Sequence, residues 1–397
     1  MTVIAPAFTE VSQSLLLSMQ QTDYAGHDPF DGLNSALFEH SGLGRSEFAR
    51  LAWLQLYKRS PVNFRPLTGT AKARNPKGVA LVILGLLESY HTCRDNVLLA
   101  EAVRLADWLL ENPSPKTTWD HACWGYHFDW QARAFYVPKG KPNMITSCYV
   151  ARALWALSEA NGEPRYAEVA RDASRFIFKH LYNTEQQFFA YIPGETTFVH
   201  NANLWGAAMV ARGGVELGDQ AMLDAAKAAC DLSLTHQATD GSWAYGTRSH
   251  HGFIDGFHTG YNLEALSMAQ QYLEPGCFQA AIDRGLAYYR AHFFEPDGLP
   301  KYYHDSPWPI DMHSTAQAVI TLIKLGNDDD QALVERVLNW SIAHMYDAKR
   351  GAFYYQKHRF FTNKIPYMRW TQAWMYYALA FFNSHQPPSS ISTRSGS

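Results

Sequence analysis

One pattern constrains this chain more than any other. A small-residue-rich helix, apolar nearly all round, begins near Asn75, Asn143, His200, Phe257, Asp311 and Met368, and successive starts lie 68, 57, 57, 54 and 57 residues apart. A helix apolar on every side has to be buried. Between these stand helices that carry charge on one face only, over 46–57, 96–110, 164–181, 219–236, 277–293 and 328–345. A near-constant period with a fixed buried/amphipathic contrast marks a repeat architecture, in which each hairpin buries its apolar face against the next. Six such hairpins predict closure into an all-α (α/α)6 toroid, a six-hairpin barrel with buried helices inside and amphipathic ones outside. A single toroid domain is expected over 1–384, with a helix and loop extension at 1–45. The polar, Pro/Ser-rich tail at 385–397 reads as disordered.

The segments leading into the buried helices share a second pattern. Each has a Gly or polar turn, then alternating aromatics, then polar residues at the helix start, as in QQFFAYIPGETTFVHN and DGLPKYYHDSPWPID. Alternation at period two predicts short β-hairpin-like pieces. Because each segment joins an outer helix to an inner one, all of them fall on the same rim. The inner helices then point their N-termini, the positive ends of their dipoles, at one cavity mouth.

Composition serves here to exclude. A net charge of −3 over 397 residues carries no basic bias, so no nucleic-acid partner is expected. No window reaches the roughly 18 uninterrupted apolar residues of a spanning helix, so no membrane insertion is expected. The five cysteines are scattered without CxxC spacing, and the N-terminus lacks the basic and apolar regions of a signal peptide; both predict a cytoplasmic protein without a disulfide framework. No HExxH, Gly-rich phosphate cradle or GxSxG elbow occurs, and neither a metal nor another cofactor is expected. Oligomeric state stays open. The 12 Trp, 22 Tyr and 22 Phe supply flat faces on which a sugar ring can stack.

The ring geometry selects candidates from the rim loops and the first turns of the inner helices. His258 and His313 are the sharpest: each follows a carboxylate at short range, Asp255 and Asp311, at equivalent places in successive repeats, with His200 a third. Histidines at the mouth of one cavity suit proton abstraction and return, and Tyr261 is a second candidate base. Asp129, Asp255 and Asp311 are alternatively the carboxylate pair of a glycosidase. Arg133 and Arg369 are expected to neutralise an anionic group, with Asn201, Asn203 and Asn262 on hydroxyls and Glu264, Trp243 and Trp370 completing the binding set. Each of these residues also has a plain structural reading, as a helix cap, turn residue or packed aromatic.

Two resemblances rest on named residues. QATDGSW, Gln237 to Trp243, is similar to the QW repeat of triterpene-cyclase and prenyltransferase toroids, although the DxDD acid of the cyclases is missing. RSPVNFRPLTG, NPKG, GYHFDWQARAF, VHNANLWGA, DGSWAYG, IDGFHTGYNLEAL, DGLPKYYHD, PIDMHSTAQA and TNKIPYMRWTQAW together resemble an uncharacterised bacterial six-hairpin family associated with surface-polysaccharide synthesis. That resemblance covers nearly the whole chain and implies a carbohydrate-active enzyme. Six-hairpin toroids in general include glycosidases, polysaccharide lyases and sugar epimerases. The expected function is proton transfer on an acidic sugar or oligosaccharide, as an epimerase or lyase. A six-hairpin glycoside hydrolase, a non-catalytic oligosaccharide-binding or assembly protein and, last, a terpenoid cyclase are the alternatives.

Overall fold

The structure, a computed structural model, describes residues 7–131 and 136–386. Of the C-terminal tail only His385 and Gln386 fall among them, and Arg133 lies outside them.

Thirteen helices of more than five residues carry the architecture: α1 (Phe8–Gln20), α2 (Glu47–Arg59), α3 (Pro76–Cys93), α4 (Asn96–Glu111), α5 (Met144–Asn161), α6 (Pro164–Leu181), α7 (His200–Leu217), α8 (Gln220–Thr235), α9 (Gly256–Tyr272), α10 (Gln279–His292), α11 (Met312–Leu325), α12 (Asp328–Met345) and α13 (Ala373–Ser384). The odd-numbered helices from α3 to α13 pack side by side, and α13 returns to α3, so the inner ring is closed. Closure needs a close backbone approach at Gly85 of α3, where an added Cβ would lie 2.6 Å from the Tyr376 ring. The Ser89 and Tyr376 hydroxyls then meet at 3.3 Å across the same seam.

The outer ring follows the amphipathic pattern except at one place. The helix predicted over 46–57 forms, as α2, but it is not the sixth outer helix. It packs beside the rim on a separate small cluster of Leu33, Phe38 and Leu54, and the Trp53 indole donates to the Gly32 carbonyl at 2.9 Å. The sixth outer position belongs to α1, whose Val11, Leu15, Leu16 and Met19 join the main core and whose Phe8 meets Phe382 edge-on at 5.0 Å. The buried face of α1 is mostly apolar, Val11, Leu15, Leu16 and Met19 with Ser12 among them.

The rim carries the expected short strands. Trp130–Gln131 pairs with Tyr136–Val137, Tyr182–Asn183 with Phe188–Phe189, and Tyr346–Asp347 with Ala352–Phe353, all antiparallel. Ile310–Asp311, Gln356–Lys357 and Thr362–Asn363 form a three-stranded piece. Side-chain caps fix where the inner helices start on this rim: Asn75 accepts from Lys77 N at 3.0 Å, Asn143 from Thr146 N at 2.9 Å, Asp255 from His258 N at 2.7 Å and Asp311 from His313 N at 2.8 Å. No helix among the described residues is long and apolar enough to cross a membrane.

Candidate active site

The capped helix starts and the rim loops enclose a cavity of about 560 Å3, within the range of small-molecule sites (roughly 300–1,000 Å3). Aromatic faces dominate its walls, among them Tyr126, Trp130, Tyr191, Tyr245, Tyr302 and Trp370, while Lys77, Phe257, Tyr261 and His313 also line it.

His258 is a titratable side chain of the cavity held by a buried carboxylate. Asp255 caps α9 with one carboxylate oxygen and holds His258 Nδ1 with the other at 2.7 Å. The Asp255 side chain is fully buried, whereas the imidazole stays 22% exposed to the cavity. A carboxylate on Nδ1 fixes the ring's orientation and favours the tautomer that leaves Nε2 free to take a proton. Tyr245 supports the ring edge-on at 4.6 Å.

His313 differs. Its ring stacks on Phe257 at 3.6 Å and lies 4.3 Å from Trp370. Both its nitrogens are buried without a hydrogen-bond partner among the described residues. Burial, reinforced by nearby Lys77, Arg369 and His258, holds this imidazole well below the usual histidine range. A neutral imidazole with a spare donor and a spare acceptor is equipped to exchange hydrogen bonds with a ligand. Phe257 bridges the two histidines, its ring 5.1 Å from that of His258. Asp311 does not line the cavity. It caps α11 and accepts from Gln356 at 2.5 Å, and burial pushes its carboxyl up to about 6.

The cations of the cavity wall are not equivalent. Arg369, expected to meet an anionic ligand, is already matched: Asp28 takes its guanidinium through two bonds of 2.6 and 2.8 Å, both partners buried. Arg248 faces Glu195 at 3.7 Å. Lys58 and Lys77 have no carboxylate within 4.0 Å among the described residues. Lys58 is half-buried and lies over the Phe30 ring at 4.8 Å. Lys77 is 3% exposed, donates to the Tyr261 hydroxyl at 2.9 Å, and is surrounded by Tyr149, Phe257, Tyr261 and Trp374 at 4.9 to 5.9 Å. Burial, with Arg369 and Arg152 nearby, holds the amine well below the usual lysine range, Asp28 opposing. Burial likewise holds the Tyr261 hydroxyl well above its usual range, so it is a neutral donor/acceptor and not a phenolate base.

Several sequence candidates fall outside the cavity lining. His200 is buried against Ser233 at 3.1 Å, and burial drives its imidazole down to about 3. Asn203 ties the Phe189 amide to the Ala229 carbonyl and the Ser233 hydroxyl at 2.7 to 2.9 Å, a structural clamp. Trp243 is core, its indole donating to the Ser233 carbonyl at 3.0 Å. Asp129 lines a second, smaller pocket and is held by Asn34 and the Lys139 amide. Asn262 is buried off the lining, with its carbonyl oxygen unpartnered. Asn201 does line the cavity and keeps an unpartnered buried carbonyl oxygen.

Glu264 sits deeper in the barrel, between Arg152 at 2.9 Å and Lys324 at 2.6 Å. Burial alone would raise its carboxyl; Lys324 and Arg152 overcome that and hold it at about 2, below the ordinary 4.5. A depressed carboxylate stabilises the fold fully above its unfolded pKa, and that contribution is lost as pH falls through the folded one. Glu264→Gln is therefore expected to be less stable than wild type at neutral pH, and the gap in unfolding midpoint should narrow as pH drops from about 4.5 towards 2. A gap independent of pH would contradict the assignment.

Sequence reasoning missed Asp28, which neutralises Arg369, and passed over Lys58. The only signal for Asp28 was DPFD in a Gly/Pro-rich loop, together with two arginines at buried helix starts, Arg65 and Arg369, that needed partners. Asp31 serves Arg65 at 2.6 Å in the same way.

No protein-family model matches the sequence, and no curated protein matches it. Solved structures do. The chain is similar to an unsaturated glucuronyl hydrolase specific for heparin, at 14% identity and a TM-score of 0.62 over 95% of this chain and 96% of that one. It is similar to the cellobiose 2-epimerase of Bacillus thermoamylovorans B4167, at 11% identity and a TM-score of 0.60 over 78% and 87%. A sugar epimerase from a ruminal bacterium matches at 12% identity and a TM-score of 0.62 over 94% and 97%. At these identities the likeness is one of fold, and the fold is the six-hairpin (α/α)6 toroid.

Proposed function

We propose that this protein is a carbohydrate-active enzyme that moves a proton at a sugar carbon inside the rim cavity, acting within the cell on an acidic sugar or oligosaccharide of surface polysaccharide. The observation that carries the reading is the Asp255–His258 pair, with its free nitrogen on the cavity and neutral, unpartnered His313 beyond Phe257. His258 takes the proton from a carbon next to a carboxylate or carbonyl. Neutral His313, with one donor and one acceptor nitrogen, relays a proton from water to the other face, giving epimerisation; departure of a leaving group instead gives β-elimination. Lys58, without a carboxylate partner, is placed to hold the substrate's anionic group in the role first assigned to Arg133 and Arg369. Asn201 and Trp370 complete the lining with a hydroxyl acceptor and a stacking face. The similar solved structures are described as a glucuronyl hydrolase and sugar epimerases, and both act on sugars.

Hydrolysis is the second reading. Burial raises the Asp311 carboxyl to about 6, but Asp311 and Asp129 both lie off the cavity lining and Asp255 is held on His258, which disfavours this reading. An assay with acidic oligosaccharides in deuterated buffer separates the readings. Deuterium in intact sugar marks epimerisation, ultraviolet absorbance marks elimination, new reducing ends mark hydrolysis, and binding without change sinks every enzymatic reading. Lys58→Met is expected to raise KM for the acidic substrate about tenfold, at ~1.4 kcal/mol per decade, with kcat and the KM of a neutral analogue little changed. Equal effects on both substrates would remove Lys58 from anion binding.

A further inference from the structure

We propose that Lys77 is an amine nucleophile that forms an imine with the open-chain aldehyde of a reducing sugar held in the cavity, an inference that rests on the proton-transfer reading above. The geometry singles out this amine. Its backbone is pinned in the first turn of α3 by the Asn75 cap at 3.0 Å, and its side chain reaches the cavity lining. Among the described residues its one side-chain hydrogen-bond partner is the Tyr261 hydroxyl at 2.9 Å.

The surroundings supply no counter-ion. Asp28, the acid that acts on Lys77 electrostatically, is committed to Arg369 through both oxygens. Arg369 and Arg152 are like charges, and Tyr149, Tyr261 and His313 are neutral. Burial lowers the Lys58 amine too, but Asp311 opposes that and Lys58 keeps partial access to solvent, whereas Lys77 is walled in by rings. A desolvated amine beside other cations is the arrangement that activates lysine towards carbonyls, and the depressed amine described above agrees with it.

In the addition step the Nζ lone pair bonds to the aldehyde carbon. The carbonyl π pair moves to oxygen, which takes a proton from the Tyr261 hydroxyl as that hydroxyl takes one from the nitrogen it already meets. The neutral carbinolamine then loses its hydroxyl with the remaining N–H proton as water, so that aldehyde plus amine becomes imine plus water. The imine, once protonated, draws electrons from the adjacent C–H and makes its proton easier for His258 to take. Reprotonation on the other face and re-addition of water release the epimer and restore the amine.

Trapping tests this on the full-length protein. D-mannose, cellobiose and D-glucuronate are each incubated with it in deuterated buffer containing sodium cyanoborohydride, and the digested protein is weighed peptide by peptide. With at least one sugar, the peptide bearing Lys77 should gain the mass of the sugar less one oxygen atom. Its occupancy should be about tenfold or more above that of exposed Lys116 and Lys349, and Lys77→Arg should lose the adduct. No adduct at Lys77 with any of the three sugars, or occupancy no higher than at the exposed lysines, overturns the proposal. Deuterium in the sugar without a Lys77 adduct overturns the imine and leaves the proton-transfer reading standing; an adduct without deuterium does the reverse.

Discussion

Replacing His258 with alanine is expected to lower turnover by about a hundred- to ten-thousand-fold, the usual worth of a positioned acid/base group. The partly exposed ring leaves no deep void, but the buried Asp255 carboxylate loses a partner, so the unfolding midpoint should fall as well. Asp255→Asn should cost turnover by a similar order, because an amide still caps α9 but no longer holds the imidazole with a charge. His313→Ala is expected to reduce turnover as well, with a larger loss of stability, since its ring is stacked between Phe257 and Trp370. Turnover assayed with the preferred acidic oligosaccharide checks all three. If His258→Ala and His313→Ala both keep full turnover, the acid/base assignment is wrong.

The second large effect concerns Asp28. Asp28→Ala leaves the Arg369 guanidinium buried at 2% exposure with neither of its two short bonds. Breaking a buried pair from one side typically costs about 3–5 kcal/mol. The variant should unfold at a clearly lower denaturant midpoint. Adding Arg369→Met should recover most of that loss, because an apolar side chain of similar length needs no partner in that pocket. A double variant as unstable as the single one would mean that Asp28 acts through some other contact. The same pair of variants separates structure from binding: Arg369, being neutralised by Asp28, should contribute little to the affinity for an anion.

How far the sequence alone reached differs between fold and site. The repeat of fully apolar helices and the aromatic alternation before them made the toroid and its hairpin rim legible, because periodicity reports burial directly. It did not reveal that α1 and not α2 closes the outer ring, since both are amphipathic and only packing against α13 separates them. His258 with Asp255 was legible because a cap and its partner sit three residues apart. His200 and Asn203 occupy the equivalent turn of α7 and are spent on Ser233, a residue of α8. Glu264 faces inward but one layer too deep, where Arg152 and Lys324 claim it. The counter-ion of Arg369 is Asp28, 341 residues away in the chain, and no local spacing encodes such a pairing.

The central claim is that a sugar sits in the rim cavity with its reacting carbon at His258. A crystal structure of the protein soaked with an acidic oligosaccharide tests it most directly. A sugar should stack on the cavity aromatics, with one carbon about 3–3.5 Å from His258 Nε2 and the acidic group beside Lys58. A sugar bound in the Asp129 pocket instead, or in the cavity with His258 and His313 both out of reach, would contradict it.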